Sequence, residues 1–232
     1  MEEINSAIVL AAGRGRRMQS GIPKQYMDLC GKPVIYYSLK VFEDFEPVRE
    51  VILVAGKEDL DYCRKEIVDR YHFTKVGKII AGGKERYHSV YEGLREVSPD
   101  SSYVFIHDGA RPCVDRSVLE RCMQDVRKYQ ACVCGMPSKD TVRIADREGF
   151  AQATPDRTSV WMMQTPQVFS YTLILKAYEK MLAGCTDGIT DDAMAVERTM
   201  GRRIKLTEGS WRNIKITTPE DLELAALFVR NA

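Results

Sequence analysis

The sequence predicts an α/β protein, a Rossmann-like, mostly parallel sheet flanked by helices, with a protruding β-hairpin arm. Apolar runs of strand length, rich in Val and Ile, alternate with longer segments of helical period. Such alternation implies parallel strands, right-handed crossovers and helices on both faces. The pattern breaks once, after Pro137, in a polar stretch with short alternating runs and turn residues. The 232 residues, 44% hydrophobic, are enough for one large core, so residues 1–232 form a single domain with its arm at about 138–160.

Strands are expected at 6-SAIVLAA-12, 50-EVILVAG-56, 76-VGKIIAG-82, 103-YVFIHDG-109 and 131-ACVCGMP-137. Helices are expected between them at 33-PVIYYSLKVFEDF-45, with Pro33 in its first turn, at 58-EDLDYCRKEIVDRYH-72, at 86-RYHSVYEGLREV-97, and at 115-DRSVLERCMQDVRKYQ-130 behind an Asp115 N-cap. Segment 138–167 is a hairpin-bearing excursion from the sheet, with turns at Asp146 to Gly149 and Thr154 to Asp156. Helical period returns in 171–184 and 191–200. Strands are expected again at 203-RIKLTEG-209 and 213-NIKIT-217, and Thr218-Pro219-Glu220-Asp221 opens a last helix, with Thr218 as its cap.

Lys and Arg number 34 against 33 Asp and Glu. A net charge of +1 gives no general attraction to nucleic acid or to an anionic membrane, so anion binding must be local. The start, MEEINSAIVLAAG, lacks the basic region of a secretory signal, and no apolar run approaches the roughly 18 residues of a membrane span. The expectation is a cytoplasmic protein without membrane or nucleic-acid partners. Seven cysteines are an odd number; Cys132 and Cys134 share one strand face with no second Cys or His pair to complete a zinc site, which points to reduced core thiols.

Segment 13-GRGRRMQSGIPKQ-25 leaves the first strand at its carboxyl end, where open α/β sheets bind ligands. It is neither a P-loop, which needs G-x-x-x-x-G-K-[ST], nor a dinucleotide fingerprint, which needs glycine where Met18 stands. Gly13 and Gly15 let the backbone approach a ligand, while Arg14, Arg16, Arg17 and Lys24 supply donors for several phosphate oxygens, a density suited to a triphosphate. The competing reading is a solvated basic loop. In 81-AGGKERYHSV-90, Gly82-Gly83 admit a planar base and Ser89 can donate a hydrogen bond, or the turn merely reverses the chain. In 106-IHDGARP-112, Asp108 stands where a hard-cation ligand would, since Mg²⁺ takes one or two carboxylates plus phosphate oxygens; the alternative is an Asp108–Arg111 pair that fixes the turn. His107 is expected to support that turn by hydrogen bonding, and Trp161, Met162 and Met163 to pack at the base of the arm.

LAAGRGRRM, PKQY, GGKERYHSV, HDGARP, KDTVR, QTPQ, ITDDAMAVE and NIKITTPEDL, in this order, resemble the nucleotidyltransferases that activate sugar phosphates, and among them the 2-C-methyl-D-erythritol 4-phosphate cytidylyltransferases. The resemblance covers nearly the whole chain. It implies CTP and a sugar-alcohol phosphate as substrates, Mg²⁺ as cofactor, and in-line attack of the substrate phosphate on the α-phosphorus with loss of pyrophosphate. By the same resemblance Arg17 and Lys24 neutralise the departing pyrophosphate, and Ala11, Ala12 and Gly13 line the nucleotide. Gly83 and Ser89 hold cytosine and ribose, Gly109 offers a main-chain contact, and Asp108 approaches metal and substrate. Thr141, Arg157, Thr165 and Lys215 take the sugar phosphate. The arm, which carries Arg157, embraces a second subunit and makes a homodimer with shared sites. Ribitol-5-phosphate cytidylyltransferases share much of the pattern and stay open as the alternative, though Arg16-Arg17 and 190-TDDAMAVE-197 look more like the methylerythritol enzymes. A non-catalytic nucleotide-binding protein on the same fold is the reading from another class.

Overall fold

The computed structural model describes residues 3–13, 21–184 and 186–231. β1 (Ile4–Ala11) leads through a 3-10 turn at Lys24–Tyr26 to α1 (Val34–Glu43) and β2 (Val48–Ala55). β3 (Val76–Ala81), α2 (Arg86–Glu96), β4 (Ser101–Asp108), α3 (Arg116–Tyr129) and β5 (Ala131–Pro137) follow. The excursion holds a two-stranded hairpin, β6 (Ile144–Ala145) and β7 (Ala151–Ala153). The chain then runs through β8 (Trp161–Ser170), α4 (Tyr171–Ala183), α5 (Asp192–Met200), β9 (Lys205–Glu208) and α6 (Pro219–Arg230).

Seven strands form one sheet in the order β9-β5-β8-β4-β1-β2-β3. β1 is parallel to both β2 and β4, so the chain turns to opposite sides of β1 and opens a crevice at the strands' carboxyl ends. Period-two alternation sends Ala7, Val9 and Ala11 to a core shared with α1 and α3, while Ile8 faces a second core built on α2, α4 and α5. Burial on both faces is what the unbroken apolar runs require. Cys122, Cys132 and Cys134 are free thiols buried together in the first core. Polar side chains close the helix starts: Asp115 accepts from Val118 N at 2.9 Å, Asp191 from Met194 N at 2.9 Å, and Thr218 forms a capping box with Asp221.

Three elements differ from expectation. Residues 161–167 are not part of the excursion; they belong to β8, which re-enters the sheet antiparallel between β4 and β5. Pro166 hid this strand, because proline lacks a ladder N–H, and the structure accommodates it in a bulge. Met163 pairs with Gly135 and Gln167 with Val133, leaving residues 164–166 opposite Cys134. Along β8 Met163 packs on the second core whereas Met162 is exposed, so only part of the expected packing at the arm's base occurs.

Segment 213–217 forms no ladder. It runs past the end of β4 and the bulge of β8, held by Ile216 N to Ala110 O (2.8 Å) and by Arg111 Nη1 to Asn213 O (2.8 Å). The expected helix at 58–72 is a 3-10 turn (Lys57–Asp59), one α-turn (Leu60–Tyr62) and a π-helix (Cys63–Asp69). Its apolar spacing serves this wider winding as well, burying Cys63, Ile67 and Val68, and Cys63 Sγ meets the Tyr26 hydroxyl at 3.1 Å.

Candidate active site

The carboxyl end of β1 turns at Ala11-Ala12-Gly13, and the Gln25 side chain holds that turn by donating from Nε2 to Ala11 O at 2.5 Å. Beside it, β3 turns at Gly82-Gly83 into α2. A Cβ on Gly82 would stand 2.5 Å from that of Ala12, so the two turns approach this closely because residue 82 is glycine. Ser89 braces the second turn, accepting from Gly83 N at 3.1 Å and donating to Glu85 O at 3.3 Å. Between the turns lies a cavity of about 220 Å³, bounded on its far side by Asp108, Ala110 and Lys215.

Charge in this cavity is organised by two carboxylates. Asp192, completely buried at the start of α5, accepts both Arg86 guanidinium arms at 2.8 Å each and the Tyr178 hydroxyl at 2.5 Å. The same Arg86 reaches Asp108 Oδ1 through Nε at 3.2 Å, and Lys215 Nζ donates to Asp108 Oδ2 at 2.6 Å. Burial pushes the Asp108 carboxyl upward, but Arg86 and Lys215 outweigh it and hold the group well below the usual carboxylate range. Burial likewise opposes the Arg86 charge, and Asp192 and Asp108 overcome it, so this guanidinium stays charged. Lys24 also lines the cavity and donates to Ile216 O at 2.8 Å, next to Lys215. Beyond the wall, burial lowers the His107 imidazole to about 4. Its ring meets Arg111 O at 3.2 Å and Thr165 Oγ1 at 3.1 Å, the supporting position expected for it.

Ala11, Ala12, Gly13, Lys24, Gly83, Ser89, Asp108 and Lys215 therefore come together as the cavity wall. Gly15 and Arg17, with the rest of the arginine cluster, lie outside the described residues. Gly109 sits behind the wall, its N–H bonded to Leu10 O at 2.8 Å and its carbonyl accepting from Ser38 at 3.1 Å. Thr165 is buried, and its hydroxyl accepts from Asp108 N at 3.0 Å. Thr141 and Arg157 are exposed on the excursion, away from the cavity. Asp108 and Arg111 do not pair through their side chains; the turn closes through Arg111 N to Asp108 O at 3.0 Å, and the guanidinium turns to Asn213.

Sequence reasoning missed the roles of Gln25, Asp192 and Tyr178, and the pairing of Arg86 with Asp192. Each lies in or beside a quoted motif or periodic helix, yet nothing local indicates that Arg86 pairs with a carboxylate 106 positions away.

A strand-end crevice with glycine turns, a wall of lysine and arginine, and a carboxylate between cations defines a nucleotide-binding α/β enzyme of the nucleotidyltransferase class. The family model described as "IspD: 2-C-methyl-D-erythritol 4-phosphate cytidylyltransferase" matches residues 5–231. The chain belongs to this family. It is similar to the 2-C-methyl-D-erythritol 4-phosphate cytidylyltransferase of Lachnospira eligens, 53% identical over 228 residues, covering 98% of this chain and 100% of the relative. That of Caldanaerobacter subterraneus subsp. tengcongensis is 45% identical over 97% of this chain and 98% of its own. Among solved structures, the 4-diphosphocytidyl-2C-methyl-D-erythritol synthase of Anaerococcus prevotii superposes with a TM-score of 0.86 at 33% identity, covering 99% of this chain and 97% of that one.

Asp192→Ala leaves the Arg86 charge without its buried partner and is expected to cost about 3–5 kcal/mol of stability, read from urea unfolding. His107 titrates lower in the folded chain, about 4, than in the unfolded chain, roughly 6.5, so its contribution is pH-independent above the higher value and is lost as pH falls between the two. In metal-free buffer, the wild type should lose about 3 kcal/mol relative to His107→Gln across that window, with unfolding free energies of both proteins compared at each pH.

Proposed function

We propose that this chain transfers the cytidylyl group of CTP to 2-C-methyl-D-erythritol 4-phosphate, giving 4-diphosphocytidyl-2-C-methyl-D-erythritol and pyrophosphate in non-mevalonate isoprenoid biosynthesis. The observation that carries this reading is the cavity wall. Lys24, Lys215 and Arg86 converge at the strand ends, and His107, the histidine next to Asp108, is buried and does not line the cavity. A phosphate monoester, with its second pKa near 6, is largely dianionic at neutral pH and attacks without a general base. The protein's task is to align two anions and offset their repulsion as charge grows on the leaving pyrophosphate.

In this mechanism the turns of β1 and β3 take the nucleotide, and Lys24, with Arg17 from the basic loop, stabilises the departing pyrophosphate. Lys215 meets the phosphate of the acceptor. Mg²⁺ is the proposed cofactor. No group of three or more His, Cys, Asp and Glu among the described residues encloses a metal, but a hard cation held mostly by substrate phosphates needs little more than one carboxylate. Asp108 supplies that carboxylate, ionised and on the cavity wall, so the site fits. Bound there, the metal would neutralise phosphate charge.

The arm supports a homodimer. It exposes Ile144 (51%) and Phe150 (68%), and it holds Thr141 and Arg157 outside this chain's own cavity, where they can complete a partner's. No helix among the described residues is long and apolar enough to cross a membrane, and a cytoplasmic site of action is proposed with the substrates.

Pyrophosphate release from CTP, assayed with 2-C-methyl-D-erythritol 4-phosphate and with ribitol 5-phosphate, decides the acceptor; turnover of ribitol 5-phosphate alone would overturn the assignment. Lys24→Ala is expected to lower kcat at least about a hundredfold, the scale of one lost transition-state donor, in the same assay.

A further inference from the structure

Thr165, at the bulge in β8, is bonded on two sides. Its hydroxyl accepts from the backbone N–H of Asp108 at 3.0 Å, and its carbonyl accepts from Asn213 Nδ2 at 2.8 Å. Two residues after Asn213 comes Lys215, whose ammonium returns to Asp108 at 2.6 Å. A closed ring of hydrogen bonds thus joins the bulge, the 213–217 segment and the cavity.

Gln164 reinforces the ring from the neighbouring position. Its amide pairs with the backbone of Ser210 as a strand residue would, donating to Ser210 O at 2.8 Å and accepting from Ser210 N at 3.4 Å. It also accepts from Asn213 Nδ2 at 3.2 Å. A Cβ on Gly209 would collide with Gln164 Oε1, so glycine there leaves room for this amide. Both Asn213 amide hydrogens are therefore used, while its Oδ1, wholly buried, finds no partner among the described residues. An unsatisfied buried carbonyl is destabilising, a penalty that an alanine would avoid. The donated bonds have to be worth it, and what they hold is the segment bearing Lys215.

We propose that Asn213 and Gln164 are positioning residues for the reaction: they tie the root of the arm to the 213–217 segment and thereby set Lys215 against Asp108 for the acceptor phosphate. This rests on the cytidylyltransferase reading, and it makes acceptor binding depend on the bulge in β8, the strand by which the excursion rejoins the sheet.

The test compares Asn213→Ala, Gln164→Glu, Lys215→Ala and the double variant Asn213→Ala/Lys215→Ala. Gln164→Glu keeps the acceptor for Asn213 and loses the bond to Ser210 O, so it serves where Asn213→Ala does not fold. Asn213→Ala is expected to raise KM for the acceptor about tenfold with KM for CTP nearly unchanged, and to add nothing in the Lys215→Ala background, as residues acting through one group do. Gln164→Glu should show the same split, more weakly. A merely structural role predicts lower thermal stability with both KM values unchanged, or effects that multiply in the double variant, and either result overturns the proposal. Crystal structures of the wild type and of the single clamp variants give a readout independent of the substrate. Lys215 Nζ should leave Asp108 in the variants, and retention of the contact sinks the clamp; a wild type that does not turn over this acceptor sinks the functional reading instead.

Discussion

The bidentate pair between Asp192 and Arg86 is the constraint on which the rest of the site depends. A fully buried carboxylate is costly unless charged and polar partners satisfy it, and Arg86 with Tyr178 does so. The pair fixes the first residue of α2 against the first residue of α5, and so holds the helix end of the β3 turn in place. It also spends most of the guanidinium on structure and leaves Nε for Asp108. From there the charge order runs outward, Asp192 to Arg86 to Asp108 to Lys215, each ion held by the one behind it.

This order suits a reaction between two anions. Cations poised in a partly dehydrated cleft act more strongly than in water, and they need no reorganisation when phosphate charge arrives. Asp108 stands between two of them, Arg86 and Lys215, and offsets their mutual repulsion. The backbone does related work: the turns of β1 and β3 approach closely at Ala12 and Gly82, which brings main chain, not bulky side chains, to this side of the cavity.

The segments that carry the cations are anchored by different means. Lys24 sits on a 3-10 turn whose Tyr26 is packed on Tyr62 and bonded to Cys63, at the start of the π-helix. Lys215 sits on a segment without ladder bonds, held by Asn213 and by Arg111. A strand in the sheet plane would alternate its side chains between the two faces; leaving the plane lets this segment present Lys215 to Asp108 and its Ile216 carbonyl to Lys24.

The sequence by itself determined the α/β class, the five parallel strand positions, the helix caps at Asp115 and Thr218, and most of the cavity wall. The fold features are written locally, in two- and 3.6-residue periods and in capping residues, whereas much of the cavity wall, Ala11, Ala12 and Lys215 among it, came from the resemblance of whole motifs. Tertiary structure alone decided that residues 161–170 return as an antiparallel strand, that 213–217 leave the sheet plane, and that Arg86 belongs to Asp192. Pro166 disguised the first. The second depends on side-chain donors replacing a ladder, and the third joins residues more than a hundred positions apart. Such pairings are set by which surfaces the folded sheet brings together, and no local period encodes them.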